Sequence, residues 1–422
     1  MESKNNKSGY NYDVIVIGGG ASGMMAASVA AKRGKRVLLI EKNRELGRKL
    51  SITGGGRCNI LNDEDNHRLL LANYGKSNKP LFSAFDRFGM QETKDYFASI
   101  GIRTKTEARK RAFPVSESAI DVVAALSAEL RKYRVTVITG RSVKRLVADD
   151  NKISNVIVDD SDYTAGSYIL ATGGTSRPET GSSGDGFKWL EDLGHSVRPP
   201  TPNVTPLALS ETWVTEVSGT TMEDIGIVFY SEGVRSFKLN GSVLFTHFGI
   251  SGPTILNNAY RVAELLEQGS VEAKMDCFPK LDNKQLDDQV QETLKAHPSK
   301  MTRSTMRYIA PPGFAKLFVK LLEDQIDLAT RNSELRKEDR QKIVNLLKEL
   351  PLNITNLMGF DKAVVADGGV SLKEIDTRTM SSRLVDNLYI TGDLLDINRP
   401  SGGYSLQLCW TTGFLAGSNA NR

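Results

Sequence analysis

Residues 12–42 read YDVIVIGGGASGMMAASVAAKRGKRVLLIEK, and this stretch decides the fold. The apolar run at residues 14–17 predicts a short buried parallel strand, and residues 24–33 predict a helix with small side chains on its strand-facing side. A second apolar run at residues 37–40 predicts another strand, which ends on the acid Glu41. A strand, a glycine turn, a helix and a strand in this order predict the βαβ unit of a Rossmann-like fold.

The glycines of the turn have separate predicted tasks. Gly18 allows the tight turn, Gly20 lets a pyrophosphate approach the backbone, and Gly23 lets the helix and the strand pack closely. The N-terminus of the helix offers unpaired N–H groups to phosphate, and Glu41 is placed to accept hydrogen bonds from an adenosine ribose. Because a carboxylate repels a 2′-phosphate, the unit predicts FAD or NAD at this site rather than NADP. The residues predicted to contact this cofactor are Gly18, Gly20, Ala21, Ser22, Gly23, Glu41 and Lys42.

The composition is that of an ordinary globular protein, with 422 residues of which 40% are hydrophobic and 25% charged. This length predicts two or three domains. The formal net charge of +5 is a mild excess and the basic residues are mostly interleaved with acids, so nucleic acid is not predicted as a partner. The densest basic run, residues 103–111, predicts a solvated loop, with a contact surface as the alternative.

Cysteine use and hydropathy predict a cellular location. The three cysteines, Cys58, Cys277 and Cys409, form no C-x-x-C pair, so neither a disulfide framework nor a dithiol relay is predicted. The polar start of the chain contains no signal-peptide h-region, and no run reaches the roughly 18 apolar residues that span a bilayer. These features predict a cytoplasmic protein without membrane contact, in which Cys58 and Cys409 are small buried residues rather than nucleophiles.

A second glycine cluster lies at residues 47–59, GRKLSITGGGRCN. The adjacent glycines give conformational freedom, while a threonine and several cations supply hydrogen-bond donors. The cluster therefore predicts backbone amides and cations around the same cofactor, with a flexible surface loop as the alternative. The predicted contacts are those of Arg48, Lys49, Thr53, Gly54, Gly55, Gly56, Arg57, Cys58 and Asn59.

The same region carries a family resemblance. GRKLSITGGGRCNILN at residues 47–62 resembles the signature of a family of bacterial FAD-binding oxidoreductases that includes aminoacetone oxidase and the flavin-dependent reductases of bile-acid 7-dehydroxylation. The resemblance continues at residues 169–186, 245–256 and 368–417, and so covers nearly the whole chain. It implies a member of the two-dinucleotide-binding flavoprotein superfamily with FAD as cofactor. It leaves open either oxidation of a small amine or amino ketone by dioxygen, or reduction of an activated double bond by NADH or NADPH.

The resemblance also implies where the rest of the cofactor lies. A backbone group near Val143 is expected to face the adenine, and the strand at residues 168–174 resembles the A-T-G motif of this superfamily. The Gly-Asp pair at residues 392–393 is implied to hold the ribityl and pyrophosphate part of FAD. The helix that begins at residues 402–405 is expected to stabilise the negative charge of reduced flavin with its N-terminus. The contacts implied in these segments are those of Val143, Thr172, Gly173, Gly392, Asp393, Gly402, Gly403, Tyr404 and Ser405.

The middle of the chain predicts an insertion. Four prolines at residues 199–206 predict a domain boundary, residues 207–276 are rich in strand patterns, and residues 281–350 carry apolar residues at helical spacing. The predicted fold is therefore α/β, a Rossmann-like FAD-binding domain split by an inserted β-rich domain that carries a helical subdomain. The predicted boundaries are 1–198 and 367–422 for the two parts of the FAD-binding domain, 199–276 for the β-rich domain, 277–350 for the helical subdomain and 351–366 for a strand that returns to the insert.

Residues 80–129 predict two helices that flank a loop at residues 101–118. The family usually has Gly-Arg before a Phe-Pro pair in this loop, whereas this chain has Arg111-Ala112-Phe113-Pro114. No substrate contact of the family's loop is therefore transferred to this chain.

His247 is the candidate catalytic residue. It lies in FTHFGISGP at residues 245–253, and histidine is suited to proton transfer because it titrates near neutral pH. The alternative is a structural histidine that satisfies a buried carbonyl at a domain hinge. The remaining histidines, His67, His195 and His297, are predicted to be surface or structural residues, and no metal site is predicted.

The prediction from these features is an FAD-dependent oxidoreductase that acts on a small-molecule substrate, with NADH or NADPH as a transient electron donor. Two other classes stay open at this stage. One is an NAD-dependent dehydrogenase without flavin, and the other is a flavin-binding partner or sensor without turnover. The sequence predicts no particular oligomeric state.

Overall fold

The computed structural model describes residues 11–421. The polar start at residues 1–10, which belongs to the segment predicted to contain no signal peptide, lies outside the described residues. The chain divides into two compact units. The first contains the residues up to 202 and those from 364 onward, and the second contains residues 203–363. The second unit is therefore an insertion in the sequence of the first.

The helices are α1 (Ala21–Lys32), α2 (His67–Ala72), α3 (Asn78–Arg87), α4 (Met90–Ser99), α5 (Ala119–Lys132), α6 (Asp185–Asp192), α7 (Pro253–Leu256), α8 (Ala259–Leu266), α9 (Asn283–Lys295), α10 (Thr302–Ile309), α11 (Ala315–Leu322), α12 (Lys337–Lys348) and α13 (Tyr404–Asn419). Between residues 11 and 421, no helix combines the length and the apolar character needed to cross a bilayer.

The strands are β1 (Tyr12–Ile17), β2 (Val37–Glu41), β3 (Leu61–Asn62), β4 (Thr104–Glu107), β5 (Arg111–Pro114), β6 (Thr136–Thr139), β7 (Val143–Asp149), β8 (Lys152–Val158), β9 (Ser161–Tyr163), β10 (Ala165–Leu170), β11 (Val197–Asn203), β12 (Leu207–Leu209), β13 (Thr221–Ser231), β14 (Val234–Thr246), β15 (Gly249–Ser251), β16 (Val271–Asp276), β17 (Leu350–Leu357), β18 (Val365–Val370), β19 (Ile375–Asp376), β20 (Ser381–Ser382) and β21 (Leu388–Ile390).

A seven-stranded sheet organises the first unit, in the order β19-β20-β21-β10-β1-β2-β6. The five strands from β21 to β6 are parallel, and β1 lies between β10 and β2. Residues 14–16 of β1 are fully buried, which explains why this strand is continuously apolar rather than alternating. The sheet and its helices confirm the predicted α/β, Rossmann-like fold.

Helix α13 is held against α1 by close packing of small residues. A Cβ atom added to Gly413 would collide with the Ser22 carbonyl oxygen, and one added to Gly417 would collide with that of Ala26. Helix α1 itself begins at Ala21, three residues earlier than predicted, with Gly20 as an extended N-cap. The glycine spacing on α13 thus brings a segment from the end of the chain beside the first βαβ unit.

The prediction of a loop at residues 101–118 was wrong. This segment contains β4 and β5, which form a three-stranded antiparallel sheet with β3. The strands escaped the sequence analysis because they lack apolar alternation and depend on backbone pairing with a distant segment. Two of the five cations of the basic run form ion pairs, Lys105 with Glu107 and Glu117, and Lys110 with Glu64.

The second unit combines a closed barrel with four consecutive helices. The barrel has the strand order β12-β15-β14-β13-β16-β17. Helices α9 to α12 form the segment between β16 and β17 and share one hydrophobic core with the barrel, in which Leu286, Phe318 and Ile343 are almost completely buried. The strand-rich and the helical sequence patterns therefore lie in a single compact unit.

Candidate functional site

A large cavity lies in the first unit, at the carboxyl ends of the parallel strands. Its wall contains Ile17 at the end of β1, Ile40 near the end of β2 and Ala171 just after β10. The empty volume is about 1240 Å³, including the part that is open to solvent. In open α/β sheets, ligands bind at this end of the strands, where the connections diverge.

The structure brings together residues that the sequence analysis selected from six separate segments. The predicted residues that line the cavity are Gly18, Gly20, Ala21, Ser22, Glu41, Lys42, Arg48, Lys49, Thr53, Val143, Thr172, Gly173, Asp393 and Ser405. The predicted residues that do not line it are Gly23, Gly54, Gly55, Gly56, Arg57, Cys58, Asn59, Gly392, Gly402, Gly403 and Tyr404.

The glycine turn forms a cradle that fits a dinucleotide. Gly18 has φ +106°, and a Cβ atom there would collide with the Ala171 carbonyl, while a Cβ at Gly23 would collide with the Gly18 carbonyl. A Cβ at Gly20, in contrast, would meet no atom within 4 Å. Gly20 lines the cavity and is the N-cap residue of α1. Because glycine has no side chain that could accept hydrogen bonds from the first turn of the helix, N–H groups of that turn stay available to a ligand in the cavity.

Glu41 is fixed at the end of β2 by hydrogen bonds to both of its carboxylate oxygens. Oε2 accepts from the Gly19 amide at 2.6 Å, and Oε1 accepts from the Asn43 amide and side chain at 2.7 and 2.8 Å. Each carboxylate oxygen has lone pairs left for further donors, so the group fits a ribose diol. The sequence analysis missed Asn43, which also donates to the Thr180 carbonyl at 3.0 Å and joins two walls of the cavity.

A partly buried charge cluster lies at another part of the wall, which Lys49 and Asp393 line with Arg399 behind them, and we call these three residues the ion triad. Lys49 Nζ lies 3.2 Å from Asp393 Oδ2, and Arg399 pairs with Asp393 Oδ1. Burial raises the pKa of Asp393, but the charges of Lys49 and Arg399 outweigh it and lower the pKa to about 2. The triad therefore contains two cations and one anion, a surplus of one positive charge.

Arg399 was missed by the sequence analysis. Its side chain is about 1% exposed, its Nη1 donates to the Ile397 carbonyl at 2.6 Å, and its Nε donates to Ser405 Oγ at 3.1 Å. Ser405 lies in the first turn of α13 and lines the cavity, so Arg399 connects the ion triad to the beginning of that helix. The available signal was an arginine between the Gly-Asp pair and the Gly-Gly pair, within a segment already assigned to the cofactor.

Asn59 and Arg57 of the second glycine cluster do not line the cavity but contact neighbouring segments, one of which is the beginning of α13. Gly403, the N-cap of α13, has φ +101°, and a Cβ there would collide with the backbone of Leu61. The side-chain oxygen of Asn59, oriented to satisfy its hydrogen bonds, accepts from the Gly403 amide at 3.0 Å. Arg57 pairs with Glu107 and stacks on Phe113, with its guanidinium carbon 4.1 Å from the ring centroid.

The cysteines of the site are not suited to nucleophilic chemistry. Cys58 is fully buried, and Cys409 lines the cavity. Burial raises the pKa of each of these thiols to about 12, so both stay protonated near neutral pH. The prediction of a buried residue is confirmed for Cys58, whereas Cys409 is half-buried at the cavity wall.

His247 lies in the second unit, at the turn between β14 and β15. Its side chain is exposed, and its ring centroid lies 4.8 Å from that of Phe248. The exposure removes the alternative in which His247 satisfies a buried carbonyl, while proton donation stays a prediction. His195 is structural, because its buried ring lies 2.9 Å from Glu374 Oε2 and 3.0 Å from Ser382 Oγ.

The overall fold resembles solved flavoenzymes. A 3-ketosteroid-delta4-(5alpha)-dehydrogenase from Rhodococcus jostii superposes with a TM-score of 0.55 over 98% of this chain and 97% of that one, at 15% identity. This likeness concerns the fold alone.

Two full-length relatives have defined reactions. The chain is 30% identical to the 3-dehydro-bile acid delta(4,6)-reductase of Clostridium scindens, over 96% of this chain and 98% of that protein. It is 29% identical to the ribosomal RNA dihydrouridine synthase of Escherichia coli, over 96% of both proteins.

The fold, the dinucleotide cradle and these relatives define an FAD-dependent oxidoreductase. This class excludes the two alternatives left open by the sequence, a flavin-free dehydrogenase and a flavin protein without turnover. Residues 12–419 match the model of the HI0933-like protein Rossmann domain, and the chain belongs to this HI0933-like family. The predicted family, enzyme class and FAD cofactor are thereby confirmed.

Proposed function

We propose that this protein reduces a carbon–carbon double bond that is conjugated to a carbonyl group, with NADH or NADPH as the electron donor. The two full-length relatives support this reaction class. One is named for reducing the delta(4,6) bonds of a 3-dehydro bile acid, and the other for forming dihydrouridine from uridine. In both substrates the double bond to be saturated is conjugated to a carbonyl, so an electron-poor alkene is their shared feature.

The observation in the structure that carries the proposal is the surplus positive charge of the ion triad at the cavity wall. Bound FAD supplies hydride chemistry, while the protein positions the cofactor and sets its electrostatic surroundings. Lys49 and Arg399 together outweigh the single charge of Asp393, and the beginning of α13 adds the positive end of a helix dipole beside Ser405. This wall favours negative charge on a bound group, as an electron-rich reduced cofactor requires.

Other residues are proposed to hold the adenine dinucleotide. The cradle at residues 18–23 would take the pyrophosphate, and Glu41 would take the ribose. Val143, Thr172 and Gly173 line the same cavity and complete the proposed contacts. A cytoplasmic location is part of the proposal, because Cys58, Cys277 and Cys409 are all free thiols, as expected in a reducing compartment.

An anaerobic spectral titration tests the reaction. The purified protein is expected to show flavin bands near ~375 and ~450 nm, and NADH or NADPH should bleach them. Adding an alkene conjugated to a ketone, such as a 4-en-3-one steroid, should restore the bands without oxygen. Bands that persist with both nicotinamides, or that return only with dioxygen, would contradict a reductase and favour an amine or amino-ketone oxidase.

The midpoint potential of the bound flavin tests the electrostatic role of the ion triad. Arg399→Met removes one cation and is expected to lower the midpoint potential of bound flavin, because the reduced form loses electrostatic stabilisation. Arg399→Lys keeps the charge and is the matched control. Equal potentials in the two variants would contradict the electrostatic role.

A further inference from the structure

One aromatic side chain at the cavity wall has no role in the site as described so far. Trp189 lies in α6, and its half-buried indole lines the cavity and packs against the hydrophobic core of the first unit. Within residues 11–421, this indole pairs with no other aromatic ring and with no cation, and its Nε1 donates no hydrogen bond.

The other two tryptophans have partners within the protein. Trp410 Nε1 donates to a backbone carbonyl at 2.9 Å, and the Trp410 ring centroid lies 5.0 Å from that of Phe97. The Trp213 ring centroid lies 6.0 Å from that of Phe245. Aromatic side chains inside proteins usually find such partners. Trp189 differs from both, because its ring borders an open cavity and has these contacts still to make.

A chain of contacts places Trp189 near the end of the cavity that contains Glu41. Lys42 follows Glu41, and its Nζ lies 2.8 Å from Oδ2 of Asp185, the first residue of α6. Trp189 is four residues further along this helix, so it lies on the same side as Asp185 and about one turn away. Asp185 and Trp189 both line the cavity.

The segment at residues 140–143 lies at the same end of the cavity. The Arg141 amide donates to the Glu41 carbonyl at 3.3 Å, and the Gly140 amide donates to the Asn43 carbonyl at 2.8 Å. Val143, two residues further on, lines the cavity. An aliphatic side chain and an indole are therefore available close to the carboxylate that fits a ribose diol.

We propose that Trp189 is a stacking platform for the adenine ring of FAD. A flat indole with unused contacts suits a purine, because base–aromatic stacking needs only the π faces of the two rings. The adenine is bonded to the ribose, so it must lie close to the residue that holds the ribose. The inference therefore rests on the proposed placement of the ribose at Glu41, and the Lys42–Asp185 ion pair holds the beginning of α6 beside that place.

The release of FAD from the loaded full-length protein tests this role. Release is followed as the rise in flavin fluorescence after dilution. Trp189→Leu keeps an apolar contact with the core but has no aromatic face, so it should release FAD at least about fivefold faster than the wild type. Trp189→Phe keeps an aromatic face and should stay within about threefold.

The matched control is Phe82→Ala, which removes a 47% exposed ring of α3 that lies outside the cavity wall. It should release FAD at the wild-type rate. Thermal unfolding of each loaded variant verifies that it is folded.

Binding of ADP identifies the half of the cofactor that contacts the indole. ADP carries the adenosine without the flavin, and it is titrated into FAD-free full-length protein that regains its flavin bands when FAD is added back. ADP should quench the tryptophan fluorescence of the wild type, and Trp189→Phe should bind ADP in calorimetry without this quenching. Trp189→Leu should weaken ADP binding by about the same factor as it accelerates FAD release.

Any of four results would overturn the proposal. They are release of FAD from Trp189→Leu at the wild-type rate, no ADP binding by the wild type up to about 10 mM, quenching that persists in Trp189→Phe, and unchanged ADP affinity in Trp189→Leu. The last result, combined with faster FAD release, would assign the indole to the flavin half of the cofactor. Neither measurement contains a nicotinamide or an alkene, so failure here leaves the proposed reduction unaffected.

Discussion

Replacing Asp393 by asparagine tests the ion triad through the pH dependence of stability. The pKa of Asp393 is lowered from its usual 3.8 to about 2, which corresponds to about 2.4 kcal/mol at 1.36 kcal/mol per unit. A carboxyl whose pKa is lowered by folding stabilises the folded state above its unfolded pKa. That contribution is lost as the pH falls from about 4 through 2. Asp393→Asn should therefore destabilise the first unit by about 2–4 kcal/mol at pH 7, since the buried Arg399 and the partly exposed Lys49 also lose their partner.

The assay is urea unfolding of the FAD-free protein, so that cofactor binding does not contribute. A Trp213→Phe background leaves Trp189 and Trp410, which both lie in the first unit, as fluorescence probes. The difference between the asparagine variant and its parent should shrink by about 1 kcal/mol between pH 7 and pH 3, because at pH 3 the carboxyl of Asp393 is mostly protonated in the unfolded state and still mostly ionised in the folded state.

The matched control is Asp396→Asn, since Asp396 forms an exposed pair with Arg198 at 2.6 Å. An exposed ion pair contributes little, so this variant should lose less than about 1 kcal/mol at pH 7. The reasoning is refuted if Asp393→Asn is as stable as its parent at pH 7. It is also refuted if the difference between them is the same at both pH values.

Three further predictions concern the cofactor and the substrate. Glu41→Arg should weaken FAD retention, measured as flavin per protein after gel filtration, because a donor replaces the proposed ribose acceptor; full occupancy would argue against that role. Gly23→Ala should lower the free energy of unfolding of the FAD-free protein by about 1–3 kcal/mol, because the added Cβ atom collides with the Gly18 carbonyl. Gly20→Ala places its Cβ atom in open space, so it should leave the free energy of unfolding unchanged and reduce the affinity for FAD. Equal free energies of unfolding in the two variants would contradict the packing argument. His247→Ala should leave flavin bound but slow reoxidation by an unsaturated substrate in single-turnover experiments, and an unchanged rate would exclude His247 as a proton donor.

The parts of the fold that could be predicted are those with strong local patterns. A continuous apolar run such as residues 14–17 indicates a strand that is buried on both faces. Gly18 indicates a tight turn and Gly23 a close approach of helix α1 to that turn, because a Cβ atom would collide with the backbone at each position. Strands β4 and β5 could not be predicted, since they are polar and depend on pairing with β3.

The sequence by itself determined the class of this protein: a dinucleotide-binding βαβ unit, a return of the chain to that unit after a long insertion, and a family signature that implies FAD. These features follow from local periodicity and from backbone conformations that only glycine adopts easily. Only the tertiary structure decided which charges meet. Arg399 joins Lys49 and Asp393 although it lies far from Lys49 in the sequence. Electrostatic interactions depend on separation in space and on burial, and the order of the residues specifies neither.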